Sequence, residues 1–202
     1  MLARTYSCAV VGLDGVIVEV EVDYTNGLPG MTIVGLPDVA VQESRERVQT
    51  AVKNAGLHFP RHRVVVNLAP AVVRKEGPAY DLPIALGVVI LAGYLPQDAI
   101  EGALVVGELS LDGVARHTRG ILPMAAAARA NGFQRMFVPE VAAAAAALIP
   151  DLQVYPVKSL ADLYDHLMGR RLIEPFHPSE ALALDPLFVP PDFAAIKGQE
   201  HV

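Results

Sequence analysis

The sequence predicts an α+β domain that ends in an irregular, Pro-rich tail. Runs with the two-residue period of half-buried strands crowd its N-terminal part, and capped amphipathic stretches then alternate with short β-branched runs as far as Met168. From Gly169 onward Pro175, Pro178, Pro186, Pro190 and Pro191 interrupt every periodic pattern, which reads as a linker.

The first elements are Thr5 to Val11 and Gly15 to Tyr24. In the second, Val16, Val18, Val20 and Val22 alternate with Ile17, Glu19, Glu21 and Asp23. The turn Asn26-Gly27-Leu28-Pro29-Gly30 predicts a hairpin that pairs this strand with Met31 to Val34, because Asn-Gly favours tight reversal. Asp38 is placed to cap a helix reaching about Ala55 and closed by Gly56, with Val41, Val48, Ala51, Val52 and Ala55 as its apolar stripe. Glu43, Arg45, Glu46, Arg47 and Lys53 form a mixed-charge face expected to be solvated. Val64 to Leu68 reads as an interior strand, and Ala79 to Tyr94 as a buried helix. Ala103 to Leu109 is a further strand, turned into a hairpin by Asp112-Gly113. Ile121 to Asn131 is helical with Gly132 as its stop. Arg135 to Pro139, Glu140 to Leu148, Gln153 to Val157 and Ser159 to Met168 then read β-α-β-α, with Ser159 and Asp162 as a variant capping box. The alanine run Ala142 to Ala147 fits helix better than disorder.

Composition narrows the function classes. With 202 residues, 52% hydrophobic and 19% charged, the chain can bury one substantial core. Its net charge of -6 opposes strong autonomous binding to a polyanion, so any DNA contact must come from a local basic patch. The N-terminus lacks the apolar region of a signal peptide, and no apolar run approaches the roughly 20 residues of a membrane span, so a cytoplasmic protein without membrane partners is expected. The lone Cys8 reads as a small buried hydrophobe.

Several chemistries lack their motifs. There is no G-x-x-x-x-G-K-[ST] phosphate loop, H-E-x-x-H pair or Gly-rich dinucleotide fingerprint, and the six histidines lack metal-ligand spacing. No metal or cofactor is therefore expected within this stretch of chain. One local constellation has a catalytic look: Arg74-Lys75-Glu76-Gly77-Pro78-Ala79-Tyr80-Asp81, a charged loop entering a helix N-terminus. Read alone, Lys75, Glu76 and Asp81 form either an acid/base set or the more ordinary caps and surface pairs.

Long ordered stretches carry a family resemblance. Val34-Gly35-Leu36-Pro37-Asp38 with Glu43 to Val48, Val66-Asn67-Leu68-Ala69-Pro70, Lys75 to Gly87 and Gly107 to Gly113 together resemble the N-terminal domain of ComM/YifB-type magnesium-chelatase-related AAA+ ATPases. The resemblance spans most of residues 1–168 and implies a Lon-protease-like domain of the ribosomal protein S5 domain 2-like fold, with residues 169–202 as linker. Lys197-Gly198-Gln199-Glu200 resembles the approach to the family's ATPase domain, whose Walker motif would lie beyond Val202.

Lon uses a Ser-Lys dyad. Laid on this sequence, the nucleophile position after proline is Ala79, and the lysine position, in ungapped register with Gly107-Glu108, is Leu122. Neither side chain can attack a carbonyl or take a proton. Ser110 and Thr118 lie nearby in sequence but outside the dyad positions.

The resemblance implies a non-catalytic domain serving assembly or DNA coupling beside its own AAA+ ring, in a parent that uses ATP and Mg2+ and acts as a helicase or branch-migration motor in natural transformation. DNA contacts would come from Arg45, Arg47, Lys53, Arg61, Arg63, Arg74 and Lys75, the densest basic cluster of the N-terminal half. The competing readings are a protease with a displaced nucleophile and a chelatase-type ATPase acting on tetrapyrrole.

Overall fold

The computed structural model describes residues 2–177. Strands β1 (Ala3–Val11) and β2 (Asp14–Thr25) form an antiparallel hairpin, and β3 (Gly30–Val34) and β4 (Arg63–Ala69) complete a four-stranded sheet in the order β1-β2-β4-β3. The expected pairing of β2 with β3 is not made. β4 is inserted between them, antiparallel to β2 and parallel to β3. A two-residue Asn-Gly turn would have made the hairpin, but the connection occupies residues 26–29 and releases β3 to the sheet edge. Helix α1 (Val39–Asn54) then serves as the crossover that parallel neighbours require. The insertion gives β4 two partners, and Val64, Val66 and Leu68 are fully buried, as an interior strand demands.

Helix α1 starts where its cap predicts: the Asp38 carboxylate accepts the Val41 amide at 2.8 Å. Gly56, at φ 79°, ends it, with its amide on Lys53 O and that of Leu57 on Val52 O. Helix α2 (Asp81–Leu91), entered through a 3-10 turn at Pro78–Tyr80, is buried along its entire length. Gly87 lets it reach the sheet, since a Cβ there would lie 2.5 Å from Val22 Cγ2. This helix, α1 and one face of the sheet enclose the larger core, with Val18, Val20, Val22, Leu82 and Leu86 at its centre.

A second, parallel three-stranded sheet is formed by β5 (Ala103–Val105), β8 (Arg135–Pro139) and β9 (Gln153–Val157), in the order β5-β8-β9. The expected strand from Ala103 to Leu109 is thus divided: its end forms β6 (Glu108–Leu109), in a small hairpin with β7 (Ala115–Arg116). Helix α3 (Ile121–Ala130) and the single turn α4 (Ala143–Ala146) cover a second core containing Cys8, Met124, Met136 and Val154. Helix α5 (Leu160–Leu167) begins at Ser159, whose hydroxyl accepts the Asp162 amide at 3.1 Å. Past it, residues 170–177 have no helix or strand but lie against the domain, where the Phe176 amide donates to Val154 O at 2.7 Å. The remainder of the expected linker, including Lys197-Gly198-Gln199-Glu200, lies outside the described residues. The architecture is α+β, and no described helix is long and apolar enough to cross a membrane.

Candidate functional site

The loop from Arg74 to Asp81 does not assemble an acid/base set. Its members diverge into separate environments. Lys75 is fully buried and donates from Nζ to Pro70 O, while its backbone bridges Leu36 O and the Asp38 amide. Desolvation lowers its pKa from the ordinary lysine value. Asp81, also fully buried, faces α1 instead: it accepts the Ser44 hydroxyl, Arg47 Nε at 2.6 Å, Arg47 Nη2 at 3.1 Å and the Leu109 amide at 3.1 Å. Arg47 adds a bond from Nη2 to Ala40 O at 2.9 Å. The hydrogen bond to Asp81 raises the Arg47 pKa further and outweighs the cost of partial burial. This arrangement ties α1, the start of α2 and β6 together. It is a structural clamp with its hydrogen-bonding capacity spent internally.

Beside the clamp lies a cleft of about 570 Å³. Ala79 is on its wall, 5% exposed, in the turn that leads into α2. Gly120, the N-cap of α3, closes the opposite side. Leu122 is 44% exposed and does not line the cleft. Alanine on the wall and leucine turned elsewhere leave these two positions without nucleophile or base. Ser110 is no substitute, because its hydroxyl closes the β6-β7 turn with Asp112 and the Val114 amide.

The seven basic residues expected to form one DNA-binding cluster separate in space. Arg47 and Lys75 are withdrawn from any such surface by the Asp81 clamp and by burial. Arg74 is exposed beside the Ala79 cleft and pairs with Glu76 at 3.4 Å. Arg45 is exposed and donates from Nε to Gln42 O at 2.9 Å on α1. Arg63 opens β4 and contacts Thr32 Oγ1 at 3.4 Å. Of the seven, Lys53 and Arg61 line one cleft together, of about 690 Å³, beside Tyr24, His58 and His62. The Tyr24 and His62 rings meet edge to face at 5.2 Å. The lining of this cleft has no acidic residue. Charge density along the sequence could not show the histidines and Tyr24 joining it, since β2 and the β4 approach meet only through the sheet.

Comparison with known proteins places the domain. The family profile described as "Subunit ChlI of Mg-chelatase" matches residues 20–142, a span that includes both the Asp81 clamp and the Ala79 cleft. The chain belongs to the Mg-chelatase ChlI family. An uncharacterized Mycobacterium tuberculosis protein is 44% identical over 168 residues, covering 83% of this chain and 33% of that protein. Competence protein ComM of Haemophilus influenzae is 37% identical over 169 residues, covering 84% of this chain and 33% of ComM. Lon protease 2 of Bacillus subtilis is 25% identical over 137 residues, 66% of this chain and 24% of Lon. The chain spans about a third of the length of the ChlI-like relatives it matches. The ComM-type resemblance read from the sequence therefore holds, and the similarity to Lon is the weaker one.

Proposed function

We propose that this ChlI-like chain is the N-terminal domain of a ComM/YifB-type AAA+ ATPase, with a Lon-like, ribosomal protein S5 domain 2-like fold from which peptidase chemistry has been lost. The observation that carries this reading is Ala79: the cleft wall and the helix entrance beside it are built, but the position after Pro78 offers a methyl group. The domain then serves as a platform for subunit packing in a cytoplasmic ring of identical chains and for coupling DNA to the ring. The ATP- and Mg2+-dependent motor lies in the parent chain. Similarity to ComM, named a competence protein, supports a motor acting on DNA during natural transformation.

DNA contact, where it occurs, falls to Lys53, Arg61 and the neighbouring Arg63, because these cations are exposed and the cleft beside them has no carboxylate. The test uses the full-length parent protein. Its ATP hydrolysis is expected to rise on adding branched or single-stranded DNA, and deletion of this domain is expected to remove that response. ATP turnover indifferent to DNA, or a DNA response intact without the domain, sinks the proposal.

A further inference from the structure

The cleft of about 690 Å³ holds more than two cations. It is built where α1 ends, where residues 56–62 run toward β4, and where α2 gives way to Ala92 and Tyr94. Lys53 and Arg61 line it, both are exposed, and neither side chain has an ion pair or hydrogen bond among the described residues. Elsewhere Arg4 pairs with Glu19, Arg74 with Glu76, Arg116 with Glu108, Arg129 with Asp151 and Lys158 with Glu140. In a chain of net charge -6, a cleft with uncompensated cations and no carboxylate in its lining locally reverses the field. Asp23, beside Tyr24 in sequence, does not line the cleft, and its Oδ1 accepts the Tyr24 amide at 2.8 Å.

The same cleft carries a ring platform. Tyr24 is 36% exposed, and its hydroxyl donates to Leu91 O at 3.1 Å, which anchors the ring at the end of α2. His62, also exposed, meets that ring edge to face at 5.2 Å. The Tyr94 hydroxyl accepts the His58 amide at 3.2 Å and ties the 56–62 loop to the residues after α2. The rings are thus held in place while still open to solvent, so a flat partner would meet them with little further ordering. Arg63, next in the chain after His62 and exposed, extends the cationic line beyond the cleft. Open aromatic faces set among unpaired cations are the elements of a surface for single-stranded nucleic acid.

We propose that this cleft seats an unpaired base of a single nucleic-acid strand. The base lies against the Tyr24 and His62 rings, and the flanking phosphates lie against Lys53 and Arg61. A duplex would reach the cations, but its bases are already stacked on one another and would leave the rings unused. An acidic peptide would satisfy the cations and offer the rings no flat face. The proposal rests on the DNA-coupling reading and adds to it the form of the strand and the residues that hold a base.

The test measures binding of the 202-residue chain at low salt, by fluorescence anisotropy, to four probes. They are an oligothymidylate, an abasic strand of the same length, the oligothymidylate annealed to its complement, and polyglutamate. The oligothymidylate is expected to bind roughly tenfold more tightly than each of the others, as the stacking of a base would give. His62→Ala, at an exposed position, is expected to remove most of that advantage and to leave the abasic strand unaffected, whereas His62→Phe keeps a ring and retains it. Tyr24→Leu is expected to act as His62→Ala does, and Lys53→Ala and Arg61→Ala to weaken both strands. A bromouracil in the strand is expected to crosslink to Tyr24 or His62 on irradiation. An abasic strand or a duplex bound as tightly as the oligothymidylate overturns the base seat and leaves DNA contact through the cations standing. No binding to any nucleic acid in the set, or a tighter hold on polyglutamate, overturns the seat and the DNA contact together.

Discussion

Arg47 Nε donates to Asp81 Oδ2 at 2.6 Å, joining the middle of α1 to the first turn of α2 through a carboxylate with no solvent exposure. Removing one partner of a buried pair leaves an uncompensated charge, whereas removing both is far milder. Arg47→Ala is therefore expected to cost ~3 kcal/mol, toward the lower end for such pairs because the Arg47 side chain remains 19% exposed. The double substitution Arg47→Met with Asp81→Leu is expected to cost less than the sum of the two single changes in urea denaturation. A single-variant cost below about 1 kcal/mol would show the clamp to be energetically idle.

Ala79→Ser restores a hydroxyl at the position after Pro78 without restoring a peptidase. In the proposed Lon-like reading Leu122 takes the place of the lysine, and its side chain is partly exposed and does not line the cleft. The variant is expected to fold and to resist labelling by a fluorophosphonate probe under conditions that label an active serine hydrolase. Stoichiometric labelling would contradict the assignment of an extinct site.

The separation of the basic residues makes a DNA prediction position-specific. Lys53→Ala and Arg61→Ala are expected to reduce the slope of log affinity against log salt by about 0.9 each on duplex DNA, or about 0.7 on single strands. Arg74→Ala, on the other cleft, is expected to leave the slope unchanged. Equal effects from all three changes would mean that the two clefts do not differ as DNA surfaces.

Cys8 is fully buried, and burial pushes its thiol up to about 12, against the opposing effect of a backbone hydrogen bond from Val16. The folded state holds this proton more tightly than the unfolded one. Its contribution to stability is therefore complete below the unfolded pKa and falls as pH rises from about 9 toward about 12. Cys8→Ala is expected to flatten that alkaline decline by up to ~1.4 kcal/mol per pH unit, measured by denaturation at fixed pH values. An unchanged alkaline slope would remove Cys8 from the account.

Gly87→Ala places a methyl 2.5 Å from Val22 Cγ2 where α2 crosses β2. The added atom overpacks a fully buried contact and is expected to cost about 1–3 kcal/mol despite alanine's better helix propensity. A stabilised variant would mean that the sheet yields there.

The local features were legible because their causes are local. Asp38 and Ser159 cap the helices they precede, Asp112-Gly113 turns β6 into β7, and the apolar run around Leu82 to Leu91 is a buried helix. Ser44 was legible only in retrospect: a small polar residue set within the buried stripe from Val41 to Val48 signals a buried polar partner.

By itself the sequence determined the period of each strand, the caps, the family, and the absence of nucleophile and amine at Ala79 and Leu122, since each depends on residue identity over a few neighbouring positions. Tertiary structure alone decided that β4 separates β2 from β3, that Asp81 takes Arg47 and Ser44 while Lys75 takes Pro70 O, and that Thr118 and Arg119 meet the Ala79 wall. Charge type and spacing say which groups can interact. Which of them reach water and which reach one another is set by contacts between residues remote in sequence, whose order emerges only when the sheet and its helices close on a common core.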